Sequence, residues 1–242
     1  MTIPSRPTKP LAYDAYQLLA EHYAASIDTK PHNAFYDRPA MIAMWPNLSG
    51  KRVLDVGCGP GVYTQHLVQL GATVTAIDAS DNMLELARKR NGASAEFRQI
   101  DISQPLDMFE PASFDFIHAA LCLDYISDWR LLFKEFRRLL AVGGLCQISC
   151  GHPAFDAEYY QTQHYFSIEQ VKCTWTGFGK EVVMPSYRRS LQEMMMPIIE
   201  SGLLITKVTE PLPTEEFRRA DPVRYASLMH RPAFLCIQAR QA

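Results

Sequence analysis

The sequence predicts a doubly wound α/β sheet, in which strands and helices alternate from residue 51 onward. Three observations carry that expectation. Short apolar runs recur between helical stretches, the rhythm of right-handed crossover units. A glycine-rich turn, VLDVGCGPGVYT at 53–64, joins the first run to a helix. Acids close three successive runs, at Asp55, Asp78 and Asp101. The chain has 242 residues, enough to bury one large core and carry an appended cap.

The elements follow in order. KRVLDV reads as a buried strand, and VYTQHLVQLG as a helix stopped by Gly71. ATVTAID is a second strand; SDNMLELARKRNG is a helix with Ser80 or Asp81 as its N-cap. AEFRQI and FDFIHAAL give the third and fourth strands. DWRLLFKEFRRLLAVGG reads as a helix ending at Gly143-Gly144, and LCQISC as the fifth strand. SLQEMMMPIIES gives a helix ended by Gly202 and bent by Pro197; LLITKVT and AFLCIQA bring the strands to seven. Two segments break this rhythm. Residues 11–50 are expected to be helical, with Tyr13, Tyr16 and Tyr23 on one face. Residues 151–190 hold eight aromatics in 40 residues, about twice the chain average of 11%. The expected organisation is an N-terminal helical lid at 1–50, a ligand-binding core at 51–150, an inserted aromatic-rich cap at 151–190, and a C-terminal part at 191–242 that completes the sheet.

The bulk properties narrow the partners. A net charge of −2 and a pI of about 6.4 leave no electrostatic footprint for nucleic acid or an anionic membrane. No apolar run approaches the roughly 20 residues of a membrane span. MTIPSRPTKP lacks the apolar stretch of a secretory signal and reads as a frayed tail. The six cysteines (Cys58, Cys122, Cys146, Cys150, Cys173, Cys236) form no C-x-x-C pair. They are expected to be reduced, and the protein cytoplasmic.

The glycine loop discriminates among nucleotide ligands. Gly57, Gly59 and Gly61 follow G-x-G-x-G, so Val62 occupies the third-glycine position of the dinucleotide fingerprint. No Lys-Ser/Thr follows, which excludes a P-loop. Asp55 would repel a pyrophosphate but suits a ligand with an ammonium group. Asp78 lies 23 residues after Asp55, where an acid can accept hydrogen bonds from both ribose hydroxyls. Asp101 could meet an adenine amino group. All three acids fall at the carboxyl edge, where open α/β sheets bind ligands.

Taken in order, DVGCGPG, AIDAS-DNML, QIDIS, SFDFIHAALCLDYISDW and FKEFRRLL ending in AVGG resemble the motifs of class I S-adenosylmethionine-dependent methyltransferases, of the small-molecule type similar to the ubiquinone and menaquinone biosynthesis group. The likeness is dense over residues 50–150. It implies a Rossmann-like, seven-stranded, mostly parallel sheet whose last strand is antiparallel. It also implies S-adenosyl-L-methionine as cofactor. Asp55, Gly57, Cys58 and Gly59 would line the methionine end, and Asp78 would take the ribose, with Ala79 and Met83 against sugar and adenine. Asp101 and the Ile102 amide would read the adenine edge, and Ala119 and Leu121 would border the sulfonium. Tyr16 and Tyr23 are expected to cover the cofactor from the N-terminal helix.

A sulfonium methyl is already activated, so the protein must chiefly align an acceptor and exclude water. The stretch Leu121–Tyr125 has no (D/N)-P-P-(Y/F), and no Pro-Cys dipeptide offers a nucleophile for cytosine. The expected partner is therefore a small-molecule acceptor, methylated at O or N, with no nucleic acid and no membrane; the chain is expected to be a monomer or homodimer. His152, in CGHP after the fifth strand, is the candidate general base. His118 is expected to be packed within strand four. No residues are assigned to a metal. The alternatives are aminopropyl transfer on the same fold, a non-catalytic regulator that holds the cofactor, and a nicotinamide oxidoreductase.

Overall fold

A computed structural model describes residues 9–242; the tail expected at the extreme N-terminus falls almost wholly outside that range. The first described elements are helical: α1 (Tyr13–Ser26), a π-helical turn at Asn33–Asp37, and α2 (Arg38–Ala43). The alternation then begins with β1 (Arg52–Val56), α3 (Val62–Gln69), β2 (Thr73–Asp78), α4 (Asp81–Asn91) and β3 (Glu96–Gln99). It continues with β4 (Phe114–Ala120), α5 (Trp129–Leu139) and β5 (Leu140–Gly151). Next come α6 (Pro153–Tyr159) and the hairpin of β6 (Glu169–Trp175) and β7 (Val182–Arg188). The chain closes with α7 (Leu191–Glu200), β8 (Leu203–Thr209), α8 (Glu215–Ala220), α9 (Pro222–Leu228) and β9 (Phe234–Gln241).

Seven strands form one sheet in the order β3-β2-β1-β4-β5-β9-β8. The pairs β3–β2, β2–β1, β1–β4 and β4–β5 are parallel, while β9 runs antiparallel to both β5 and β8. The fold is thus the expected doubly wound sheet with an antiparallel last strand. Its chain order reverses between β1 and β4, so the carboxyl ends of these strands flank a crevice.

Apolar spacing explains how the layers close. Helix α5 buries Trp129, Leu132, Phe133, Phe136 and Leu139, the i, i+3, i+4, i+7 stripe of an amphipathic helix. Each such side chain is worth about 1.5–3 kcal/mol on burial. Asp128 caps its start by accepting from the Leu131 amide at 3.0 Å. The stripe packs on Leu54, Ile117, Ile148 and Ile237, one face of the sheet. The other face is covered by α3 and α4 through Leu67, Leu84 and Ala87. Ser80 is the N-cap of α4, accepting from the Met83 amide at 3.2 Å.

One boundary differs from the sequence reading. Helix α5 stops at Leu139 rather than running to Gly144, because Leu140 already pairs with Phe114 across the sheet. The ladder then slips its register between Phe114 and Phe116. Gly143, at φ +76°, turns the backbone there.

Segment 151–190 folds as α6 and the β6–β7 hairpin, which stands apart from the main sheet. The hairpin packs on α1: Val182 and Met184 meet Ala12, Ala15 and Leu19, with Tyr16, Tyr23, Trp175 and Phe178 around them. The two segments that broke the sequence rhythm therefore pack on each other, the hairpin backing α1.

Candidate functional site

Beneath α1 lies a cleft that spans about 920 Å³ counting its open mouth. The floor is made by strand ends. After β1 the chain turns through Gly57 (φ +64°) and Gly59 (φ +53°) into α3. A side chain at 57 would bring its Cβ within 2.5 Å of the Cys122 Cβ, so glycine is required for the β1 and β4 loops to approach. A Cβ at 59 would meet no protein atom within 4 Å, and Gly59 lines the cleft.

Asp78 closes β2 and faces the same space. Its Oδ2 accepts from the Gly59 amide at 2.9 Å and its Oδ1 from the Ser80 amide at 2.8 Å, which fixes the carboxylate in one orientation. Burial pushes its pKa up to about 6, against the backbone amides that hold it down. Ala79 and Met83 continue the wall from the start of α4, and Asp101 and Ile102 close the far end. The Asp101 carboxylate is held by Ser103, from its amide at 2.9 Å and its hydroxyl at 2.8 Å. Leu121 borders the near end in a left-handed conformation, φ +51°, rare for a leucine. Its amide donates to the Ser149 carbonyl at 2.9 Å, tying the turn to β5.

The roof supplies Tyr16 and Tyr23. The Tyr16 and Tyr125 hydroxyls are hydrogen-bonded at 2.7 Å, joining α1 to the short 3₁₀ turn at Leu123–Tyr125. Burial raises both phenols well above their usual range.

The structure thus brings together Tyr16, Tyr23, Gly57, Gly59, Asp78, Ala79, Met83, Asp101, Ile102 and Leu121 around one cleft. Cys58 lines an annex that continues beyond the glycine loop. The other three expected residues lie elsewhere. Asp55 is buried under the loop, where its carboxylate accepts from the Thr64 hydroxyl at 2.6 Å and faces His118 Nδ1 at 3.2 Å. A carboxylate so engaged organises the β1–α3 turn and is not in the cleft wall. Ala119 is fully buried within β4, one strand position short of the surface. His152 N-caps α6: its Nδ1 accepts from the Ala154 amide at 3.2 Å, and its Nε2 sits 2.9 Å from Glu210. Both ring nitrogens are engaged away from the cleft. His118 is packed in strand four as expected.

Sequence reasoning missed several residues here. Tyr125 follows β4 without a motif of its own. Asp37, Arg38 and Tyr63 line the annex, and only an isolated Asp-Arg before Pro39 could have drawn attention to them. It also missed an acidic pair at the end of β5. Asp124 accepts from the Gly151 amide at 3.0 Å. The Asp156 carboxylate lies so close to Gly151 that a Cβ there would stand 2.7 Å from its Oδ2. Burial raises Asp124 to about 6, and burial with the neighbouring Asp124 raises Asp156 to about 8.

These shifts set a pH dependence. A carboxyl whose folded pKa exceeds the unfolded value of about 3.9 binds its proton more tightly when folded. Its contribution is therefore present at low pH and lost as pH rises from about 4 to 8. The unliganded protein should lose stability across that window, and Asp156→Asn should remove the upper part of the loss. Thermal midpoints measured at pH 5, 6.5 and 8 check this; a variant with the wild-type slope would place the titration elsewhere.

Comparison with known proteins gives a consistent picture. Residues 54–148 match the family described as "Methyltransferase domain". An uncharacterized protein of Haemophilus influenzae is 26% identical over 231 residues, spanning 86% of this chain and 88% of that protein. The Ubiquinone biosynthesis O-methyltransferase of Pseudomonas aeruginosa is 34% identical over 100 residues, or 40% of this chain and 43% of that enzyme. Among solved structures, an S-adenosylmethionine dependent methyltransferase from Listeria monocytogenes superimposes with a TM-score of 0.74 at 25% identity, covering 85% of this chain and 96% of that one.

Proposed function

Because the chain belongs to the class I S-adenosylmethionine-dependent methyltransferases, we propose that it methylates a small-molecule acceptor, at oxygen or nitrogen, in the roofed cleft at the carboxyl edge of its sheet. The single observation that carries this placement is the cradle formed by Gly59 and Asp78. The open space at the missing Gly59 side chain adjoins a buried carboxylate whose two oxygens are already oriented by backbone amides.

The residues fit the cofactor. Asp78 has lone pairs left to accept from two ribose hydroxyls, and Ala79 and Met83 offer an apolar wall to the sugar and base. Asp101 and the Ile102 amide present an acceptor and a donor at the far end, the pattern an adenine edge reads. Gly57 and Leu121 lie toward the methionine end, with Tyr16 and Tyr23 above. When bound, the cofactor supplies an activated sulfonium methyl.

The chain's remaining tasks are alignment, exclusion of water and, for a protonated nucleophile, removal of a proton. Helix α1, backed by the hairpin, serves the first two. For the third, we take Asp124 as the candidate: neither its carboxylate, held by the Gly151 amide, nor His152 lines the cleft, but Asp124 adjoins Tyr125, which does. It lies on the turn that carries Tyr125 into the cleft, and its raised pKa of about 6 suits a base working near neutral pH. His152, engaged by Glu210 and Ala154, keeps a role at the start of α6.

The test is release of S-adenosylhomocysteine on incubating the protein with a methyl-labelled cofactor and fractionated small metabolites. Label in a low-molecular-weight product is expected. Label only in protein or nucleic acid would overturn the small-molecule reading. The match to ubiquinone-pathway O-methyltransferases makes phenolic acceptors the first to try.

A further inference from the structure

The main cleft carries charge of one sign. Its charged lining residues are Asp78 and Asp101, joined by the hydroxyls of Ser80, Ser103 and Ser127. Among the described residues no lysine, arginine or histidine lines it. We infer that the acceptor this cleft takes carries a positively charged nitrogen, and that anionic acceptors are turned away. The inference rests on the cofactor reading and adds to it the charge class of the acceptor.

The cofactor leaves this bias in place. Asp78 would face ribose hydroxyls and Asp101 an adenine edge, and both of those partners are uncharged. Neither acid is neutralised on loading. Behind the wall the same sign continues. Asp124 stands on the turn that carries Tyr125, held by the Gly151 amide, with Asp156 beside it. Two arginines on that side are 1% exposed and offer no cation to the cleft. Arg188 is paired with Glu169 at 2.8 Å; Arg189 donates to the Ile126 carbonyl and stacks 4.2 Å from the Trp129 ring. At the mouth, Lys9 is paired with Asp14 and lies over the Tyr13 ring. Arg38 belongs to the annex. A cleft lined by one sign of charge concentrates ligands of the other sign and repels its own.

The aromatic side of the cleft points the same way. Tyr16 and Tyr23 come from α1 and Tyr125 from the turn after β4, and all three line the space. The Tyr16 ring stands at 85° to Tyr23 and 88° to Tyr125, with centroids 6.0 and 5.5 Å away. The face of an aromatic ring is the negative end of its quadrupole and attracts an ammonium within about 6 Å of its centroid. Burial raises all three phenols, so they stay neutral and act through their rings and hydroxyls. The 2.7 Å bond between the Tyr16 and Tyr125 hydroxyls fixes two of the rings.

The hairpin acquires a purpose from this arrangement. Phe178 stacks on Tyr23 with centroids 4.9 Å apart, and Trp175 meets Tyr16 in a T-shaped contact at 6.3 Å. Both stand outside the lining of the cleft. They brace the tyrosines from behind, which holds the rings in one orientation without taking up space for the acceptor.

Saturation-transfer NMR titrations on the full chain loaded with S-adenosylhomocysteine test this with three para-substituted phenols of similar size: tyramine, 4-ethylphenol and 4-hydroxyphenylacetate. The demethylated cofactor is used because its sulfur is uncharged, so a cationic probe meets no competing sulfonium. Tyramine should bind about 10–30-fold more tightly than 4-hydroxyphenylacetate, the worth of a desolvated cation–π contact, with 4-ethylphenol between them. Tyr16→Leu should bring tyramine down to the level of 4-ethylphenol, and Tyr16→Phe, which keeps the ring, should preserve most of the gap. Equal affinities, tighter binding of the carboxylate, or binding of none of the phenols would overturn the charge class while leaving the cofactor reading intact. A chain that does not take up S-adenosylhomocysteine at all would overturn that reading, and the charge class with it. The wild-type series decides the matter even where a variant does not fold.

Discussion

Asp78→Ala lowers the affinity for S-adenosylhomocysteine by about 10²–10⁴-fold, the loss expected for two hydrogen bonds to a charged group at roughly 1.5–3 kcal/mol each. The effect is large because this carboxylate serves two sides at once. It holds the Gly59 and Ser80 amides in place and presents its remaining lone pairs to the cleft. The same group predicts a pH dependence. In the free protein Asp78 titrates near 6. Two hydroxyl donors favour the ionised form, so binding should lower that pKa. Affinity should therefore rise as pH increases toward 6 and level off above it. Isothermal titration at pH 5, 6 and 7.5 measures both effects. Unchanged affinity in the variant would place the ribose away from β2.

The second large effect concerns turnover. With an acceptor that carries a proton on its nucleophile, Asp124→Asn lowers kcat by about 10²–10⁴-fold and changes cofactor affinity little. Asparagine keeps the shape and can still accept from the Gly151 amide, so the variant isolates proton removal from packing. His152→Ala in the same assay should cost far less. Its ring holds the start of α6 and a contact to Glu210, neither of which touches the reacting atoms. If His152→Ala shows the larger loss in kcat and Asp124→Asn does not, the assignment reverses. Steady-state kinetics with a saturating cofactor separates these outcomes.

The two effects also show which parts of the site a sequence can disclose. Asp78, Gly57 and Gly59 were legible because a parallel strand brings its last residue to the sheet edge. An acid or glycine at that position is then placed by topology alone. Asp101 was legible for the same reason, although it stands two residues beyond the end of β3 and is oriented by Ser103. Asp55 misled because alternation along β1 decides the face: in this register its side chain points under the loop toward His118. Ala119 sits one position too deep in β4 to reach the cleft.

Asp37, Arg38 and Tyr125 were illegible for a different reason. They reach the cleft through a π-helical turn and a 3₁₀ turn, whose register breaks no periodic pattern anticipates. The acidic pair at Gly151 is assembled from α6 and the turn after β4, 32 residues apart between Asp124 and Asp156, and only the folded chain brings them together. The roof was half visible. Aromatic richness marked residues 151–190 as unusual, but the pairing of that hairpin with α1 depends on Val182 and Met184 meeting Ala15 and Leu19.

The central claim is the orientation of the cofactor along the cleft, and a crystal structure with S-adenosylhomocysteine tests it most directly. The account predicts the ribose hydroxyls on Asp78, the adenine edge at Asp101 and Ile102, the methionine end toward Gly57, and the sulfur beside Leu121. A ligand bound in the reverse sense, with its adenine in the annex, or outside the roof of Tyr16 and Tyr23 altogether, would contradict it.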